Sequence, residues 1–380
     1  MNRFCLVLLA MLLPATAFAQ RPAVPRSAPT PQRTLGQFAP AWGHKIYDNE
    51  DFALSPTDAG ECVPVPDAGV VVCGVKSGAV VGVRIDSGRI LWEFATRGAI
   101  AGRPAVSSLG LFVGSSDGCL YRLDPATGVV LWPAPYCTDA PIRGDVATAG
   151  DLVLFAVATN KVYAVHAVDG TFAWEHHRER PEAMSADGNA SPVVAGNRVL
   201  AGFSDGVLVA LDLADGREAW AANLGQDLSG SVDVDATPVV VGDRVYASAF
   251  AAGPTCLRLS DGEILWTTRH FGASRVLPIE GDRIVFGTAD GEVVALHARD
   301  GKTAWTTKLE TRAAFAPVSV GRHLMIGGDR GIWALDRKTG QPEALLSVPF
   351  GVRNRPAALK NRLFFVGGGG TVDAVDWMGR

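Results

Sequence analysis

The sequence predicts an all-β protein, an eight-bladed β-propeller of four-stranded antiparallel blades, and three observations carry that prediction. First, a tryptophan recurs at Trp92, Trp132, Trp174, Trp220, Trp266 and Trp305, with spacings of 40, 42, 46, 46 and 39 residues. Second, a turn ending in glycine precedes each one, at Gly88, Gly128, Gly170, Gly216, Gly262 and Gly301. A seventh turn, Lys338-Thr339-Gly340, places Leu345 where the tryptophan would be. Third, each repeat holds four short β-rich runs. Self-similarity at about 40 to 50 residues marks a radial β-repeat.

One repeat shows the four runs. ATPVVVG is followed by DRVYASAF, TCLRLSDG and EILWTTRH over 236–270. Each run is β-branched or alternating and ends in Gly, Asp or Pro turn chemistry. Equivalent quartets cover 190–225 and 315–350, and four antiparallel strands make one blade. Seven quartets are complete, and the C-terminus adds only three runs, over 355–377. The missing run stands at the other end, Ala41 to Tyr47, with Trp42 in the tryptophan's place. Pairing it with the C-terminal blade closes the ring and removes two exposed sheet edges.

Ahead of the ring, residues 1–19 read as a signal peptide: Arg3, an apolar run from Phe4 to Leu13, and the small-residue site Ala17-Phe18-Ala19. Residues 20–40 are proline-rich and read as a solvated tether, leaving 41–380 as a single propeller domain. The expected compartment is the periplasm, reached by export. The net charge of −4, with acids and bases interspersed, gives no basic stripe for nucleic acid. No later stretch approaches the roughly 18 apolar residues of a membrane-spanning helix.

In an oxidising compartment cysteine pairs persist. Cys62 and Cys73 flank the turn Pro66-Asp67-Ala68-Gly69 symmetrically, which places them opposite each other on a hairpin, within disulfide reach. Cys119 and Cys137 flank a second hairpin less symmetrically, and their pairing is left open. Cys256 remains over. No cysteine or histidine spacing suggests a metal, and no constellation suggests a catalytic group or a cofactor. The tryptophans, one per blade after a turn, read as packing between blades. The Asp-Gly pairs read as turn chemistry, and His176-His177 as a solvated loop.

Two connections exceed the blade minimum: 175–189 after Trp174, and 221–235 after Trp220. Both join one blade to the next, so they belong side by side on one face. Long loops on a rigid scaffold are where binding concentrates. They nominate Met184, Ser185, Ala186 and Asp187 beside Asp233 and Asp235.

The repeats resemble PQQ-like propellers, and SVDVDATPVV at 231–240 is similar to the loop-strand segment of the BamB family, over a span of about 40–377. That resemblance implies a non-catalytic periplasmic scaffold for inserting β-barrels into the outer membrane. The implied partner is the periplasmic part of the barrel-insertion protein (BamA-like), bound by a monomeric propeller. The family's two acidic loop residues map onto Asp233 and Asp235. Its two leucines and arginine map onto Met184, Ala186 and Asp187, with the last reversing the charge. The family is usually a lipoprotein, and Cys5 lies inside the apolar run rather than after it. Two alternatives stand beside this reading. One is a propeller binding another exported protein or a small ligand. The other is a PQQ-dependent dehydrogenase, which would bring long insertions and an adjacent Cys-Cys pair that this sequence lacks.

Overall fold

The computed structural model describes residues 37–47, 59–179, 190–225 and 232–379. Its strands form eight four-stranded antiparallel sheets. Seven are built from strands consecutive in the chain, spanning 62–95, 105–137, 147–177, 193–223, 236–267, 277–308 and 318–347 (blades 1 to 7). In blade 8 the N-terminal strand Phe38–Lys45 pairs with the last strand, Thr371–Trp377, in antiparallel register from Phe38↔Trp377 to Lys45↔Thr371. The ring therefore closes by joining the two ends of the chain. Its first strand begins at Phe38, three residues before the boundary read from the sequence.

Burial explains the sequence patterns. The two middle strands of a blade lie between neighbouring blades, so both of their faces are covered and they read as unbroken apolar runs, such as the fully buried Val70–Gly74. Outer strands are half covered and alternate, as in Phe172–His177. That strand includes His176 and His177, so the loop expected there begins later. The His176 imidazole packs against Phe203 and lies 4.0 Å from the Glu218 carboxylate. The apolar clusters cross between blades. Phe112, Leu120 and Trp132 of blade 2, for example, share one cluster with Phe155 and Tyr163 of blade 3.

The tryptophan repeat is an interblade joint. Trp174 lies over Gly216, the turn glycine of the next blade, and its indole N–H donates to the Leu213 carbonyl at 3.0 Å. Gly216 has a φ of 72°, and a Cβ there would fall 2.5 Å from Trp174 Cε3, so only glycine suits both turn and stack. The same joint recurs for Trp42 on Gly88, Trp92 on Gly128, Trp132 on Gly170, Trp220 on Gly262 and Trp266 on Gly301. Their indoles donate at 2.9–3.3 Å to the carbonyl three residues before each glycine. Trp305 covers Gly340, but its Nε1 finds no partner among the described residues.

Blade 7 corrects the sequence count. Ala344, not Leu345, holds the tryptophan position, because it pairs with Ala334 immediately before the β-bulge that accompanies the tryptophan elsewhere. The absence has a cause in the topology. A tryptophan there would stack on the turn joining the last two strands of blade 8, and those strands come from opposite ends of the chain. Trp377 and Phe38 fill this seam, in one apolar cluster with Ala344. The Trp377 indole donates to His323 Nδ1 at 3.0 Å, which leaves Nε2 to carry the hydrogen directed at Glu343, 2.9 Å away.

Cys62 and Cys73 face each other on adjacent strands and form a disulfide. Cys119 and Cys137 do the same, so the second pairing also forms. Cys256 is buried and free.

Candidate interaction face

Antiparallel blades sort their connections onto two faces. Turns between first and second and between third and fourth strands share one face, which carries the tryptophan–glycine joints. Blade-to-blade connections, with the turns between second and third strands, occupy the other. Both long connections belong to this second face. Met184, Ser185, Ala186 and Asp187 lie outside the described residues, whereas Asp233 and Asp235 lie within them.

The segment carrying the two acids is tightly held. Val234 is fully buried; its N–H donates to the Phe203 carbonyl at 3.1 Å and its carbonyl accepts from Ala190 N–H at 3.0 Å. Phe250 N–H donates to the Asp233 carbonyl at 2.9 Å. Side chains of 233 and 235 are thereby fixed beside a buried valine. Asp233 is only 1% exposed, so it sits under the face rather than on it. Asp235 is partly exposed, and its Oδ1 is buried with no hydrogen-bond partner among the described residues. Burial, with repulsion from Asp233, pushes the Asp235 carboxyl up to about 6, against the pull of the backbone amides of Asp235 and Ala236. An acid held this way disfavours its own charge until a donor or cation reaches it.

Sequence reasoning missed a second cluster. The residue four before the end of each inner strand lies at the mouth of the axial channel: Glu61, Arg103, Asp145, Ser191, Thr237, Arg275, Ala316 and Arg355, blade by blade. Arg355 of blade 8 donates to Glu61 at 3.1 Å and approaches Asp145 of blade 3 within 4.0 Å. Arg275 of blade 6 also reaches Asp145, at 3.4 Å. Asp145 further accepts from the Arg103 backbone N–H at 2.9 Å, and its own N–H donates to Ser191 Oγ at 2.7 Å. Blades 3, 6 and 8 are not neighbours, so these contacts cross the axis. The signal was a period of 38 to 46 residues at one position, but six different residue types hid it.

Among the described residues, no group of three or more His, Cys, Asp or Glu side chains is placed to hold a metal ion. No described helix is long and apolar enough to cross a membrane.

Fold and closure define a PQQ-repeat-type eight-bladed propeller closed by its own termini. A family model described as outer membrane protein assembly factor BamB matches residues 39–136, 76–306 and 255–377, and the chain belongs to that family. BamB from Moraxella catarrhalis superposes with a TM-score of 0.76 at 21% identity, covering 90% of this chain and all of that one. The computationally designed Ika8 protein gives 0.70 at 17% identity, over 90% of this chain and all of that one. The quinohemoprotein alcohol dehydrogenase ADHIIG from Pseudomonas putida HK5 gives 0.72 at 12% identity, over 91% of this chain and 77% of that one. At these identities the three structures share the fold. Among curated protein sequences none matches this chain.

Proposed function

We propose that the protein is a non-catalytic periplasmic scaffold that assists assembly and insertion of β-barrel proteins into the outer membrane. The observation that carries this reading is membership of the BamB family along the whole ring, 39–377. Residues 1–19 act as a cleaved signal peptide and 20–37 as the tether, ahead of the first strand at Phe38. The propeller presents its connection face to the periplasmic domains of the barrel-insertion protein. There Asp235 receives a basic or N–H donor from the partner, and Asp233 braces it from below. Met184, Ala186 and Asp187 complete the contact from the adjoining loop. Asp235 Oδ1, which has no hydrogen-bond partner among the described residues, supports this arrangement, because an unpaired buried acceptor gains most from a new donor. The distant dehydrogenase shares the fold at 12% identity, while this sequence lacks the adjacent Cys-Cys pair expected of such an enzyme.

The test is binding of the chain from Gln20 onward to the periplasmic domains of the barrel-insertion protein of the same organism. Replacing Asp235 by Ala, with folding checked by circular dichroism, should weaken binding by about 2–5 kcal/mol, the cost of leaving a desolvated charge unpaired. No binding by the wild type would reject the assembly reading. Binding unchanged by the substitution would move the contact off this face.

A further inference from the structure

We propose that the mouth of the axial channel is a binding site for a small carboxylate with a short apolar body. Three arginines, Arg103, Arg275 and Arg355, meet two carboxylates, Glu61 and Asp145, leaving one cation in excess at the axis. The cluster is lopsided. Ala316, in blade 7, stands between Arg275 of blade 6 and Arg355 of blade 8 and offers no polar atom beyond its backbone. Over it opens a cavity of about 120 Å³ lined by Arg275, Arg355, Val239, Leu277, Ala316 and Pro317, among others. Two guanidinium groups and mostly apolar walls are the composition of a ligand pocket with a few orienting polar groups.

Among the described residues the arginines have donors to spare. Each guanidinium carries five N–H donors. Arg355 uses one nitrogen, Nη2, on both Glu61 and Asp145, and Arg275 uses Nη1 on Asp145. A carboxylate between them could be held by paired N–H groups, the geometry at which arginine excels. Crowding favours the same ligand. Burial, followed by repulsion from Arg355, holds the guanidinium pKa values of Arg103 and Arg275 below their usual range. Burial, with repulsion from Asp145, raises the Glu61 carboxyl. An incoming anion offsets the repulsion among the guanidinium groups. The site lies on the axis, apart from Asp235, and stands or falls independently of the partner surface.

Titration calorimetry at low salt on the chain from Gln20 onward tests the proposal, with hexanoate as probe, hexanamide as its neutral counterpart and inorganic phosphate as an anion without an apolar body. We expect saturable one-to-one binding of hexanoate, with hexanamide and phosphate weaker by about tenfold or more. Ala316→Leu fills the cavity without touching a charge and should abolish hexanoate binding. Arg275→Gln should weaken it about tenfold or more while Arg355 still pairs with Glu61 and Asp145. Absence of saturable hexanoate binding would overturn the proposal. So would equal binding of hexanamide or phosphate, or undiminished binding by both folded variants.

Discussion

The two faces of this ring are built on opposite principles. On the turn face, one joint recurs around the disc: an indole over the next blade's glycine, its N–H on a carbonyl three residues earlier. Among the described residues, six of the seven joint indoles donate in this way and the Trp305 N–H finds no partner. The connection face repeats its backbone but not its side chains. Asp235 lies there with an oxygen that has no partner among the described residues, and arginines and acids of non-adjacent blades converge at the axis. Local conflicts of this kind are expected at functional sites and not in the packing that surrounds them. The turn face supplies stability; the connection face gives some of it up.

The largest effect should come from deleting residues 38–45. This removes the outer strand of blade 8, the Trp42–Gly88 joint and the pairing from Phe38↔Trp377 to Lys45↔Thr371. The expected product is an open ring with a free sheet edge that aggregates. Size-exclusion chromatography checks it, and a monomeric, fully folded deletion protein would mean that closure contributes little.

Next, Trp174→Ala should destabilise the ring by about 3–5 kcal/mol, because it empties a buried joint and orphans its acceptor. Denaturant unfolding measures this, and binding through the connection face should be unchanged. The third variant reverses the sign. With the Asp235 carboxyl raised to about 6 in the folded protein, its protonated form is the one that folding favours. Its contribution is complete below the usual Asp range near pH 4, declines as pH rises, and is lost above about 6. Asp235→Asn cannot ionise, so it should be more stable than wild type at pH 7.5, by up to about 3 kcal/mol. The two proteins should converge below pH 4. Thermal unfolding across that range decides it, and equal stabilities at pH 7.5 would contradict the buried-acid account.

A smaller effect is expected at the seam. Ala344→Trp restores the repeat residue where no turn glycine waits to receive it, and overpacking there should cost about 1–3 kcal/mol. A stabilised variant would show that the seam has room for the regular joint.

Much of this ring was legible in the sequence because its joints demand particular residues. A tryptophan needs a glycine beneath it, so both recur at readable spacing, and Trp42 identified the closing strand from the far end of the chain. The symmetrical Cys62 and Cys73 were legible for the same reason. Two readings failed, one by counting and one by burial. Each tryptophan stands four residues after its turn glycine, so the position after Gly340 is Ala344; the reading of Leu345 slipped by one, and the register of blade 7 exposes the slip. Asp233 reads as a surface acid, yet ties through Asp233 and Val234 to Ala190, Phe203 and Phe250 draw it inside. The axial cluster was illegible because Glu61, Asp145, Arg275 and Arg355 meet only when the ring closes.

In the proposed function the face of blade-to-blade connections receives the partner. Hydrogen exchange on the chain from Gln20 onward, with and without the periplasmic domains of the barrel-insertion protein, tests it most directly. Added protection is expected at 232–237 and in the neighbouring connection after blade 3, with none at the glycine turns around Gly170, Gly216 and Gly262. Protection at those turns, with 232–237 unchanged, would contradict it.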